Sequence, residues 1–199
     1  MKKLLIASNN KNKIKEIRQI LQGSQIEILS MEEAGITIEP NESGSTFSEN
    51  ALIKAREINK ASGLPVIADD SGLVVEALDD MPGVLSRRYA GESATDFDNN
   101  QKVVLELRKK GLDKSKARFI CCLAYIDEKR NEYTFSGECE GVFVDKPRGR
   151  NGFGYDPYFY IKEFNATMAE LSSDRKNSIS HRGRALMEFS KHMKKSGSI

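Results

Sequence analysis

Two adjacent carboxylates, Asp69 and Asp70, end the apolar stretch Pro65-Val66-Ile67-Ala68 and precede Ser71-Gly72. Neighbouring carboxylates repel, and burying either one requires a cation or hydrogen-bond donors. In extended chain their side chains leave on opposite faces, so only one of the two serves a given site. Magnesium takes one or two protein carboxylates and completes its shell with water and substrate phosphates. The pair is therefore a candidate metal site, with a solvated acidic turn closed by glycine as the alternative. Glu42 lies on a polar loop ahead of Gly44 and has no capping role, which makes it a second candidate metal ligand. Glu49 follows Thr46 at capping-box spacing and has a structural explanation. Lys54 completes this list of candidates.

Ser8-Asn9-Asn10-Lys11-Asn12-Lys13 is a candidate phosphate loop, set between a short apolar run and a helical pattern. A helix N-terminus offers unpaired N–H groups and a favourable dipole to an anion, and the two lysines add charge. The glycines of a Walker loop are missing, and asparagine also populates ordinary turns and caps. Asn151-Gly152-Phe153-Gly154-Tyr155-Asp156-Pro157 alternates glycine with aromatics. That pattern lets backbone approach a flat ligand while a ring stacks on it, although an aromatic turn packed on a core reads the same way. Ser180-His181-Arg182-Gly183 places cationic groups at the start of the last helix, against its dipole, which suits an acceptor-rich ligand. Ser180 also reads as a plain cap.

The elements that position these residues are read from periodicity. Lys3–Ala7 reads as a strand, and Ile14, Ile17 and Leu21 mark a helix over 12–22 that ends at Gly23. A strand follows at Ile26–Leu29, then a loop over 35–46. Phe47, Ala51, Ala55 and Ile58 form the buried face of a second helix closed by Gly63. Residues 65–68 and 73–78 read as two strands flanking an acidic turn. Phe97, Val103, Val104 and Leu107 predict a third helix, and 117–126 with 132–144 a strand pair around Asp127-Glu128-Lys129-Arg130. Ala185, Leu186, Phe189 and Met193 predict a final helix, with the tail after Met193 expected to fray. Alternating strands and helices imply an α/β protein.

Composition narrows the classes. The 199 residues suit one domain or two lobes sharing a core, and a net charge of +2 argues against a protein built to coat nucleic acid. No apolar run reaches bilayer-spanning length, and the first run stops at Ser8, short of a signal sequence, so the expectation is a cytoplasmic protein with no membrane partner. Three cysteines, Cys121, Cys122 and Cys139, read as reduced thiols in strands rather than a disulfide framework. Two histidines leave few ligands for structural zinc.

Each motif alone is modest, but their order resembles the inosine triphosphatase family, also called Ham1-like proteins. The resemblance covers nearly the whole chain and rests on Ser8–Lys13, Glu42–Phe47 with Glu49-Asn50-Ala51, and Ala68–Leu73. It continues through Pro82-Gly83, Tyr89-Ala90-Gly91, Gly152–Pro157 and Ser180–Gly183. Members often carry Thr-Gly-Asn in place of Ser8-Asn9-Asn10, and two glycines in place of Asn151-Gly152. The resemblance implies one domain over 1–199, an α/β fold of two lobes sharing a long, curved, mixed sheet flanked by helices. A nucleotide cleft between the lobes and a homodimer are implied with it. It implies Mg²⁺ on Glu42 and Asp70, with Asp70 catalytic. Phosphate contacts would come from Ser8, Asn9, Asn10, Lys11, Asn12 and Lys13, and further nucleotide contacts from Ser71, Phe153, Gly154, Tyr155, Asp156, Lys176, His181 and Arg182. The implied activity is hydrolysis of ITP, dITP and XTP to the monophosphate and pyrophosphate. A Maf-like pyrophosphatase for other nucleotides and a non-catalytic nucleotide-binding regulator are the alternatives.

Overall fold

The computed structural model describes residues 2–195; the end of the tail expected to fray, 196–199, lies outside the described residues. Among the described residues seven strands form one open sheet: β1 (Lys2–Ile6), β2 (Ile26–Ser30), β3 (Val66–Val75), β4 (Lys114–Ile126), β5 (Glu132–Val144), β6 (Phe159–Ile161) and β7 (Ala166–Thr167). Their order is β2-β1-β3-β4-β5-β6-β7. The sheet is mixed: β1 runs parallel to β2 and β3, whereas β6 is antiparallel to β5 and β7. The longer helices are α1 (Lys11–Ile20), α2 (Phe47–Ser62), α3 (Asp96–Lys109), α4 (Ser173–Ile179) and α5 (His181–Lys195). Among the described residues no helix is long and apolar enough to cross a membrane.

The chain divides into two compact units. The first takes residues up to Asp70, Cys121–Gly137, and everything from Arg182 on; the second takes Ser71–Ile120 and Glu138–His181. In the first unit, strand alternation sorts the core into two clusters. Leu4, Ile6 and Ile67 pack with Ile17 of α1 and Leu186 and Phe189 of α5. Leu5, Val66 and Ala68 pack with Ala51, Ala55 and Ile58 of α2. Burial on both faces is why Leu4-Leu5-Ile6-Ala7 reads as an unbroken apolar run. Each fully buried Leu, Ile or Phe contributes roughly 1.5–3 kcal/mol. The second unit gathers Leu73, Val75, Val103, Leu107, Phe119, Phe143, Phe159 and Met168 into one cluster.

Helix starts follow their caps. Thr46 accepts from the Glu49 amide while the Glu49 carboxylate accepts from the Thr46 amide, completing the box expected from sequence. Thr46→Ala is expected to cost about 1 kcal/mol in a denaturation series; a loss of under a few tenths would show α2 starting without its cap. Three details depart from the sequence reading. The acidic segment is no turn: β3 runs unbroken from Val66 to Val75. Residues 76–78 form a short 3₁₀ turn rather than the end of a strand. Phe97, read as part of a buried face, is 66% exposed, because the buried stripe of α3 runs through Asn99, Asn100, Val103, Val104 and Leu107. Cys121 and Cys139 are buried and Cys122 is half-buried, and none forms a disulfide. Burial, with the Asp69 charge nearby, pushes the Cys121 thiol up to about 12.

Candidate active site

The unbroken course of β3 decides what the acidic pair can do. By alternation Asp69 shares the face of Ile67, under α1 and α5, and Asp70 shares the face of Val66 and Ala68, under α2. Both are buried, at 2% and 8% exposure, so neither belongs to a solvated turn.

Asp69 sits in a cage of cations. Its Oδ2 lies 3.1 Å from Lys13 Nζ and accepts from Arg182 Nη2 at 3.0 Å and Nε at 3.3 Å. Arg182 Nη1 turns instead to Glu16 of α1, with Nη1 and Oε2 2.5 Å apart. Burial opposes a charge on Asp69, but Lys13, Arg182 and Lys54 outweigh it and hold the carboxyl well below the usual range. Burial likewise opposes the charge on Arg182, and Asp69 and Glu16 overcome it, so the guanidinium stays protonated. The network ties β3, α1 and α5 together and leaves Asp69 with the character of a fixed counter-ion.

Asp70 has different company. Asn50 Nδ2 donates to its Oδ2 at 3.2 Å, and Lys54 Nζ stands 3.6 Å from its Oδ1. The same ammonium lies 3.4 Å from Glu42 Oε2. Asn50 and Lys54 are one turn apart on α2 and therefore face the same way. Asn50 Oδ1 also accepts from the Gly44 amide at 2.8 Å, fastening the Glu42 loop to that helix. Burial pushes the Asp70 carboxyl up more than Lys54 and Lys13 pull it down, and the Glu42 and Asp69 charges push the same way as burial. Glu42 and Asp70 thus meet at one cation. That donor set fits magnesium, which needs only one or two protein carboxylates beside water and phosphate oxygens. Among the described residues no group of three or more His, Cys, Asp or Glu could hold a metal.

The loop ahead of α1 is organised as a cap. Asn10 Oδ1 accepts from the amides of Asn12 and Lys13 at 3.0 and 3.2 Å, and Ser8 Oγ accepts from the Asn10 amide at 3.2 Å. Asn9, Lys11 and Asn12 are exposed. A cavity of about 620 Å³ opens on one side of this loop, with Ser8, Asn9, Lys11, Lys15 and Arg18 in its wall. Lys13 does not line it and reaches Asp69 instead. The two lysines therefore serve different surroundings.

In the second unit Ser71 is half-buried, and the glycine–aromatic segment folds around Asp156. Asp156 Oδ2 accepts from the Phe153 amide at 2.8 Å and from Lys176 Nζ at 2.6 Å. Gly152 has φ +77°, and a Cβ there would stand 2.1 Å from that same oxygen, so no side chain fits. Lys176 Nζ also lies 4.8 Å from the centroid of the half-buried Phe153 ring. Tyr155 is buried and donates to the Ser86 carbonyl at 2.7 Å. His181, 7% exposed, stacks on Phe119 with centroids 4.8 Å apart.

Within the first unit the structure thus brings Lys13 to Asp69 and Arg182, and Glu42 to Lys54 and Asp70; within the second it joins Phe153, Asp156 and Lys176. Sequence reasoning missed Glu16 and Asn50. Asn50 carried a signal, since a polar residue inside the apolar stripe of α2 needs a buried partner. Glu16 carried none, because its partner is 166 positions away.

The dITP/XTP pyrophosphatase of Geobacter sulfurreducens is 49% identical over 193 residues, covering 97% of each chain. That of Clostridium perfringens is 45% identical over 200 residues, covering 98% of each. The solved structure of a HAM1 protein from Coxiella burnetii aligns with a TM-score of 0.89 at 42% identity, over 98% of this chain and 100% of that one. The Ham1 family matches residues 4–192, nearly the full length, and with relatives at this identity the chain belongs to the Ham1 family.

Proposed function

We propose that this protein is a nucleoside triphosphate pyrophosphatase that hydrolyses non-standard purine nucleotides, ITP, dITP and XTP, to the monophosphate and pyrophosphate. The observation that carries the reading is the meeting of Glu42 and Asp70 at one buried ammonium, with Asp70's carboxyl pushed up by burial. The reading is supported by the similarity to the dITP/XTP pyrophosphatases of two bacteria. Glu42 and Asp70 would hold Mg²⁺, which when bound supplies Lewis acidity and neutralises phosphate charge. Asp70 accepts the proton of the attacking water, a role suited to a carboxylate more basic than usual. Ser8 and Asn10, the exposed Asn9, Lys11 and Asn12, and Lys13 bind the triphosphate. Charge stabilisation of this kind is the main protein contribution to phosphoryl transfer.

Phe153, Gly154 and Tyr155 form the surface for the purine, with Ser71, Asp156, Lys176, His181 and Arg182 as polar contacts of the nucleotide. Hypoxanthine and xanthine carry a keto oxygen at C6, where adenine carries an amino donor. Donors such as His181, Arg182 and backbone N–H groups would pair with the oxygen and face an unpaired donor in adenine. A site of this kind can reject its mismatch by ~10⁴ or more. The working unit is a homodimer in the cytoplasm, following the resemblance.

Product analysis with ITP and ATP, with and without magnesium, tests the reading. The expected result is IMP and pyrophosphate, formed only with the metal, and ITP turned over far faster than ATP. IDP with orthophosphate would overturn the bond assignment. Equal rates on ITP and ATP would overturn the account of base choice. Binding of ITP without any product would favour a nucleotide-sensing protein.

A further inference from the structure

The segment proposed to meet the purine is held by the N-terminal part of α3. Gly154 adopts φ +61°, and both of its backbone polar groups are taken by side chains from α3. Its amide donates to Asp96 Oδ2 at 2.7 Å, and its carbonyl accepts from Asn100 Nδ2 at 2.9 Å. Asn100 Nδ2 also donates to the Asp96 carbonyl at 2.7 Å, so both of its N–H groups are engaged and the amide plane cannot turn. Asp96 and Asn100 are four residues apart and so share one face of the helix. On the other side of Phe153, its own amide is held by Asp156. Three side chains thus fix three successive peptide groups, two of which flank a single half-buried ring.

We propose that Asp96 and Asn100 are positioning residues for purine recognition. By clamping Gly154 at both ends they set the plane of Phe153 before any ligand arrives. The proposal rests on the reading of Phe153 as the surface for the base. Its physical content is preorganisation: a ring whose backbone is already fixed loses less freedom when a base lies on it. Asp96 is exposed and Asn100 is 3% exposed, so the first can be altered with little disturbance to the core.

Steady-state kinetics with ITP on Asp96→Ala, Asp96→Asn, Asn100→Ala, Phe153→Ala and the double variant Asp96→Ala/Phe153→Ala test it. Asp96→Ala and Asn100→Ala are expected to raise KM about 5–20-fold, the worth of one charge-assisted or buried hydrogen bond. The value of kcat should stay within about twofold, as for lost uniform binding. Asp96→Asn keeps an acceptor oxygen and should recover most of the affinity, which a nonspecific loss of fold would not allow. In the Phe153→Ala background Asp96→Ala should add less than about twofold, because the ring through which it acts is gone. If Phe153→Ala impairs KM but Asp96→Ala does not, or if the two effects multiply in the double variant, the positioning role is wrong while the base surface stands. If Phe153→Ala leaves KM for ITP unchanged, the base surface itself is wrong and the positioning role falls with it.

Discussion

Asp70→Asn is expected to lower turnover by at least ~10²–10⁴-fold, the usual contribution of a positioned general base, without lowering resistance to denaturant. The two outcomes come from the same environment. Burial raises the folded-state pKa of Asp70 above the ordinary 3.8, so the native protein holds that proton more tightly than the unfolded chain. The associated stability is fully present below the unfolded value and is lost as pH rises through the folded one. At neutral pH the ionised Asp70 is therefore a cost to the fold, eased by Lys54 and the Asn50 amide. Asparagine has the same shape and no charge, and it leaves Lys54 its contact with Glu42. A urea midpoint equal to or above that of the wild-type protein, together with lost pyrophosphate release, is the expected pair of results. Near-normal release would remove Asp70 from the mechanism, and a midpoint far below wild type would show that its charge supports the fold.

Its neighbour is expected to behave in the opposite way. Asp69→Asn should destabilise the protein by about 3–5 kcal/mol at neutral pH, the cost of removing one partner from a buried ionic cluster. The Asp69 side chain is completely buried between Lys13 and Arg182, which are themselves 16% and 2% exposed. Asparagine at this position would take a carboxylate charge away from Arg182 and leave it the contact with Glu16. The pH dependence follows from the sign of the shift. The folded pKa is depressed below 3.8, so the stabilisation is present above that value and fades as pH falls through the folded pKa. The gap between wild type and Asp69→Asn in denaturant titrations should therefore be widest near neutrality and narrow below about pH 4. A gap of under about 1 kcal/mol at pH 7, or one that does not change with acid, would show that the cluster does not stabilise the fold.

That two consecutive aspartates should differ so sharply follows from the pleat of one strand. Alternation was legible in the sequence, and it correctly separated the pair onto two faces. Which face meets α1 and α5 and which meets α2 depends on strand order and helix placement, which local periodicity does not contain. For the same reason the segment read as a turn: adjacent carboxylates beside Ser-Gly carry turn chemistry locally. Cations from Lys13, Lys54 and Arg182 made an unbroken strand tolerable.

The amino-acid sequence by itself determined the α/β class, the positions of the principal helices, the Thr46–Glu49 capping box, and the motif order that marks the family. These are properties of short segments, where periodicity, caps and turn residues act over a few positions. Only the tertiary structure decided that Arg182 is the counter-charge of Asp69 and Glu16, and that Glu42 and Asp70 converge on Lys54. It alone decided that Asp96 and Asn100 hold Gly154. Those pairings join residues separated by 12 to 166 positions, and they exist because burial leaves a charged or polar group no partner but the one that the packing brings beside it.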